Sequence, residues 1–145
     1  MKKTTAILAI VLAAVCANAE KKVVAFGSIP QAAQQFANAN FKGKQLASTQ
    51  VDTMLFGAIT EGYNIVYTDG TEIEFDADGN WKEIKAKTSA VPADLVPEKI
   101  KQYVKENFKG LPIVKIEKDA KGYEIELSNG RGLKFDPNFI FIGLD

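Results

Sequence analysis

The sequence predicts an α+β fold: a tandem repeat of one helix plus four strands, giving an eight-stranded antiparallel sheet with helices packed on one face. Three observations predict it. Ordered motifs recur along the chain, short segments alternate apolar and polar residues between turn signals, and a helical stripe precedes each set of such segments.

The recurrence is ordered and specific. Ile29-Pro30 returns as Val96-Pro97, and Asn40-Phe41-Lys42-Gly43 as Asn107-Phe108-Lys109-Gly110, both 67 residues later. Gly62-Tyr63 returns as Gly122-Tyr123, and Asp69-Gly70 with Phe75-Asp76 returns as Asn129-Gly130 with Phe135-Asp136, 60 residues later. The first copy therefore carries about seven extra residues, around Met54-Leu55-Phe56-Gly57-Ala58. The copies cover about 27–86 and 94–145 and form a single domain over 20–145.

Each copy opens with a helix. In the first, Ser28 with Gln31 three residues later makes a capping-box pattern, and Pro30 suits the first turn, where its missing N–H costs nothing. Ile29, Ala33, Phe36, Ala37 and Phe41 follow helical spacing. So do Val96, Ile100, Tyr103, Val104 and Phe108 in the second. Gly43 and Gly110 stand where a left-handed C-terminal residue is wanted.

Strands follow each helix. Leading strands are expected around Gln45–Asp52 and Ile113–Lys118. Tyr63, Ile65 and Tyr67 alternate with Asn64 and Thr68, with Val66 blurring the polar face, and Ile73 and Phe75 alternate with Glu72 and Glu74. Tyr123, Ile125 and Leu127, then Leu133 and Phe135, do the same, which describes half-buried antiparallel strands. Asp69-Gly70 and Asn129-Gly130 read as two-residue hairpin turns, and Asp78-Gly79 as the next turn. Trp81–Lys85 and Phe139–Gly143 are the last strands, and 86–95 is the linker along which two four-stranded sheets join edge to edge.

The first nineteen residues read as a secretory signal peptide. Lys2 and Lys3 are its basic start, Ala6 to Val15 its apolar run, and Ala17-Asn18-Ala19 its small-residue cleavage site. The apolar run is about half of the roughly 20 residues needed to cross a bilayer, so no integral span is expected after cleavage. The expected location is periplasmic or secreted. Cleavage after Ala19 removes Cys16, the one cysteine, so the exported chain holds no disulfide framework and rests on its core.

Composition narrows the chemistry. The 145 residues carry 18 Lys+Arg against 18 Asp+Glu and no His. That excludes imidazole bases, His metal ligands and His-dependent triads, and a zero net charge argues against nucleic acid as a partner. Ser28, Ser48, Ser89 and Ser128 have no His to activate them, and no Gly-rich phosphate loop occurs. No enzyme activity and no cofactor is expected.

Two constellations remain. Asp76-Ala77-Asp78-Gly79-Asn80 spaces oxygen ligands as calcium loops do, with Asp76, Asp78 and Asn80 as candidate ligands. Gly79 at the fourth position fails the EF-hand pattern, and an Asp- and Gly-rich hairpin turn accounts for the segment. Glu72, Glu74, Glu124 and Glu126 fall on the solvent face of their strands. Paired carboxylates serve glycoside hydrolysis, but alternating Glu on exposed strands describes a solvated face. Trp81 has opposite parity to Ile84 and is expected to face outward, while Phe139-Ile140-Phe141-Ile142 has no polar face. Trp81, Phe139 and Phe141, rimmed by these glutamates and Lys134, are the candidate partner-binding surface, and Leu55-Phe56 is a second exposed apolar candidate.

The signal segment, the helix starts Ile29-Pro30 and Val96-Pro97, the strands Gly62-Tyr63-Asn64-Ile65 and Gly122-Tyr123-Glu124-Ile125, and Phe75-Asp76-Ala77-Asp78-Gly79-Asn80 together resemble the PepSY-like family of periplasmic proteins, described as β-lactamase-inhibitor-like. The resemblance covers almost the whole chain after residue 19. It implies a tandem repeat with an eight-stranded sheet and helices on one face. It also implies relatives that are inhibitors, laying a concave sheet on an enzyme and inserting loop residues. The function expected is a non-enzymatic secreted or periplasmic binding protein that holds an unidentified protein or peptide on its open sheet face, as an inhibitor or regulator of a periplasmic enzyme. The alternative is a small-ligand or calcium-binding module.

Overall fold

The computed structural model describes residues 19–145; the expected signal segment lies outside the described residues, apart from Ala19. The order is β1 (Glu20–Val24), a 3-10 turn (Phe26–Ser28), α1 (Gln31–Asn40), β2 (Leu46–Met54), β3 (Ile59–Tyr67), β4 (Glu72–Asp76) and β5 (Trp81–Lys85). A second 3-10 turn (Ala93–Leu95) follows, then α2 (Glu98–Asn107), β6 (Ile113–Asp119), β7 (Gly122–Leu127), β8 (Gly132–Phe135) and β9 (Phe141–Leu144).

The strands make one antiparallel sheet of nine, in chain order from β1 to β9. The expected count of eight is corrected by β1, which pairs with β2 from Glu20 opposite Thr53 to Val24 opposite Thr49. Lys21-Lys22-Val23-Val24 sets like residues side by side, so no period-2 pattern marks it as a strand. The two four-strand sets meet at β5 and β6, where Ile84 stands opposite Ile116.

Register fixes the faces, because directly opposed residues share one. Ile65, Ile73, Ile84, Ile116, Ile125 and Leu133 form a row on one face, all with exposure of 2 % or less. Both helices cover that face. Phe36 of α1 meets Phe75 edge-on at 5.9 Å between ring centroids, and Tyr103 of α2 meets Phe135 edge-on at 5.5 Å. Ala33, Ala37, Ile100 and Val104 complete the core from the helix side.

Two local expectations are corrected. Ser28 does not cap α1: Pro30 holds that position, the Ser28 hydroxyl donates to the Ala25 carbonyl at 2.6 Å, and Gln34 Nε2 reaches back to the Ile29 carbonyl at 2.8 Å. The pair Ile29-Pro30 needs extended backbone before the helix, which leaves Ser28 two residues too early. The hairpins at Asp69-Gly70 and Asn129-Gly130 have three-residue loops. Tyr67 and Leu127 donate to the carbonyls of Thr71 and Arg131, and accept from the N–H groups of Gly70 and Gly130. In each loop only the glycine has positive φ, +86° and +83°, as a type I turn with a glycine bulge requires. The carboxylate of Asp69 and the amide oxygen of Asn129 accept from the backbone two residues on, at 2.9 and 3.0 Å.

Candidate functional site

Among the described residues no helix covers the second face of the sheet, and alternation alone decides what lies there. Gln50, Asn64, Glu74, Glu83, Glu117, Glu124 and Lys134 succeed one another across β2 to β8 as directly opposed residues. Beside them runs a second row: Val66, Glu72, Lys85, Lys115 and Glu126. These rows hold six carboxylates against three ammonium groups.

The centre of this face is drier than an open sheet suggests. Glu83 is only 8 % exposed. Its carboxylate pairs with Lys85 Nζ at 2.6 Å and with Lys115 Nζ at 3.1 Å, and Lys115 also reaches Glu117 at 3.2 Å. Burial pushes the Glu83 carboxyl up, and the two ammonium groups more than reverse this, holding it below the usual range. Glu74, directly across from it, is held above the usual range by burial first and by the Glu83 charge second. Lys134 sits farther out, between Glu124 at 3.6 Å and Asp145 at 2.9 Å. Asn64 is fully buried, its Nδ2 3.4 Å from Asp52 Oδ2.

Glu72, Glu74, Glu124, Glu126 and Lys134 are therefore all on the open face, in two groups separated by β5 and β6. The residues between them, Glu83, Lys85, Lys115 and Glu117, were not singled out from the sequence. Their parity against Ile84 and Ile116 carries the signal.

The three aromatic candidates are elsewhere, and the outward orientation expected for them is corrected. Trp81 stacks on Phe36 of α1, centroids 6.0 Å apart and planes 25° apart, with Lys118 Nζ 3.8 Å from the indole centre. Phe141 stacks on Tyr103 of α2 at 4.6 Å and 18°. The cause is a bulge in each strand. Glu74 faces Glu83 while its neighbour Phe75 faces Trp81, so Lys82 is an extra residue and parity reverses across it. Ile142 is the extra residue of β9, between Phe141 opposite Phe135 and Gly143 opposite Lys134. Phe139 is in the preceding turn rather than in the strand, with φ +66° and its ring 5.3 Å from Tyr123.

The candidate calcium ligands occupy a hairpin turn. Asp76 Oδ1 accepts the N–H groups of Asp78 and Asn80, both at 2.9 Å, and Asn80 Nδ2 lies 3.3 Å from Asp76 Oδ2. Burial pushes the Asp76 carboxyl up, and hydrogen bonds from Asn80, Asp78 and Gly79 together more than reverse this, bringing it below the usual range. Among the described residues, no three acidic side chains converge as metal ligands.

Leu55 and Phe56 sit at the tip of the β2–β3 hairpin, which runs past its neighbours to the pair Met54 and Ile59. Both have positive φ, +51° and +57°, and Phe56 is 77 % exposed. An exposed aromatic held in the left-handed region is unusual for a bulky residue and costs on the order of 1 kcal/mol.

The family model described as "Putative beta-lactamase-inhibitor-like, PepSY-like" matches residues 61–143. Among solved structures, a protein of Bacteroides thetaiotaomicron, described as a putative calcium-regulated periplasmic protein, is 35 % identical with a TM-score of 0.81 over 86 % of this chain and 96 % of that one. A putative periplasmic protein of Bacteroides vulgatus is 37 % identical with a TM-score of 0.78 over 87 % of this chain and 97 % of its own. Another periplasmic protein of that species is 34 % identical with a TM-score of 0.79 over 87 % and 99 %. Among curated protein sequences, none matches the chain. No described helix is long and apolar enough to cross a membrane.

Proposed function

The chain belongs to the PepSY-like family, and from that premise we propose that it is a non-enzymatic periplasmic binding protein that holds a protein or peptide on its open sheet face. One observation carries this reading: among the described residues a whole face of the nine-stranded sheet is left without a helix and surfaced by an acid-rich, partly buried ion-pair network. Six carboxylates against three ammonium groups favour a basic partner surface and speed its encounter more than they tighten its grip. Glu72, Glu74, Glu124, Glu126 and Lys134 are the contacts, around the fixed centre of Glu83, Lys85 and Lys115. The aromatic anchor is Phe56 at the hairpin tip, in place of Trp81, Phe139 and Phe141, which pack toward the helices.

Residues 1–19 would direct export and be removed. The remaining domain is read as two copies of one helix-and-strands unit, about 27–86 and 94–145. The test uses residues 20–145 as bait against periplasmic extract, with Glu74→Lys/Glu124→Lys and Phe56→Ser as controls. Retention of one protein by the parent, lost with both controls, is expected. Equal retention by all three would remove the open face and the tip from the reading.

A second reading is favoured by the relative described as calcium-regulated. Here Asp76, Asp78 and Asn80 would bind calcium at the β4–β5 turn. Calcium that binds only the folded chain raises the unfolding temperature. No shift at millimolar calcium ends this reading.

A further inference from the structure

An open sheet leaves two outer strands, and the two here are built differently. β1 carries Glu20, Lys21 and Lys22 in its five residues, the charged guard that resists strand addition. β9 has no charge from Phe141 to Leu144. Ile140, Ile142 and Leu144 along this edge are 59, 63 and 56 % exposed. The nearest charge, Asp145, is turned inward onto Lys134 of the neighbouring strand at 2.9 Å. The Asp145 N–H donates to the Gly132 carbonyl at 3.0 Å, so by antiparallel alternation Leu144 turns its own N–H and C=O away from β8. Among the described residues, nothing pairs with that side of β9.

We propose that this edge is a self-association surface, and that its occupant is β9 of a second copy of the chain, running antiparallel about a two-fold axis. Charge selects the occupant. Two β9 edges bring uncharged backbone and isoleucine to the same, whereas β9 against β1 would set Ile142 and Leu144 beside Lys21 and Lys22. Two β1 edges would oppose lysine to lysine. Symmetry selects it again: β9 on β9 closes at a dimer, while β9 on β1 is head-to-tail and builds larger rings or open filaments. The bulge at Ile142 leaves only a short regular stretch beyond it. The dimer is therefore a reversible one that dissociates on dilution, and it leaves the acidic face free.

Sedimentation velocity of residues 20–145, from low micromolar to near millimolar concentration, tests this. The three relatives cover 86 to 87 % of this chain with 96 to 99 % of their own, and residues 20–145 hold every strand and helix described. The expected result is a concentration-dependent dimer in the parent and a monomer throughout for Ile142→Lys, with an unchanged unfolding midpoint. Leu144→Lys gives the same result independently if Ile142→Lys folds poorly. A parent that stays monomeric overturns the proposal. So does a dimer that persists in both lysine variants, which places the contact elsewhere.

Discussion

Phe36 and Trp81 stack across the boundary between α1 and the sheet, with centroids 6.0 Å apart and planes 25° apart. The same strand position in the other half of the sheet places Phe141 on Tyr103. Each pair packs the first aromatic of a bulged strand onto its helix. Trp81→Ala is accordingly expected to destabilise by about 2 to 4 kcal/mol, the range for a truncated aromatic that keeps some exposure. Urea unfolding measures it. A midpoint equal to that of the parent would return Trp81 to the open face.

Gly62 and Gly122 sit where strands approach closely. A Cβ on Gly62 would collide with the Phe75 carbonyl oxygen, and one on Gly122 with the Phe135 carbonyl oxygen. Gly62→Ala and Gly122→Ala should each cost more than about 3 kcal/mol or prevent folding, because backbone must move. Gly43 has positive φ, +91°, but meets nothing within 4 Å, so Gly43→Ala should cost only about 1 kcal/mol. Equal effects at Gly43 and Gly62 would contradict the close approach.

Asp69 carries the clearest pH signature. Its ion pair and hydrogen bond with Lys44, then the Thr71 backbone, bring its carboxyl down to about 2. A folded-state value below the unfolded one gives stability that is complete above the unfolded value. It is lost as pH falls from there toward about 2. Asp69→Asn keeps an oxygen for the Thr71 N–H but removes the charge. Its destabilisation should be present at neutral pH and shrink through that acid window. A constant difference from neutral pH down to pH 2 would show that the turn geometry, rather than the charge, is what matters.

Glu74 and Glu83 face each other with opposite tendencies. Burial and the Glu83 charge raise Glu74, so its ionised form opposes folding at neutral pH, and protonation as pH falls through its folded value relieves this. Glu74→Gln should raise the unfolding temperature at neutral pH. Glu83→Gln should lower it, since Lys85 and Lys115 lose their shared partner. Shifts of the same sign would break the assignment.

Phe56 separates stability from binding. Phe56→Gly removes the left-handed strain and should stabilise the fold by up to about 1 kcal/mol while weakening partner retention. Reduced stability with full retention would make the tip a structural element.

Strands with clean alternation were legible. Tyr63, Ile65, Tyr67, Ile73, Phe75, Tyr123, Ile125 and Leu127 lie on the helix face, and Glu72, Glu74, Glu124 and Glu126 follow on the other, where Val66 is the one apolar exception in these stretches. Parity failed at Trp81 because one extra residue, Lys82, reverses every side chain beyond it; Ile142 does the same to Phe141 in a stretch with no alternation to read, and nothing in local composition marks either bulge. Turn residues revealed where hairpins close but not loop length, since Asp-Gly and Asn-Gly serve both two- and three-residue loops. Glu83 escaped notice because its burial depends on lysines from two strands, Lys85 and Lys115, that only register brings together.

Because the sheet follows chain order from β1 to β9, every strand pairs only with its sequence neighbours. No strand must be threaded between two already formed, and the longest loop closure within the sheet spans a helix. Such a topology keeps relative contact order low for a β-rich chain and favours fast, zipper-like folding by successive addition of hairpins. Hydrogen exchange should then be slowest at the β5–β6 seam and quicken strand by strand toward β1 and β9.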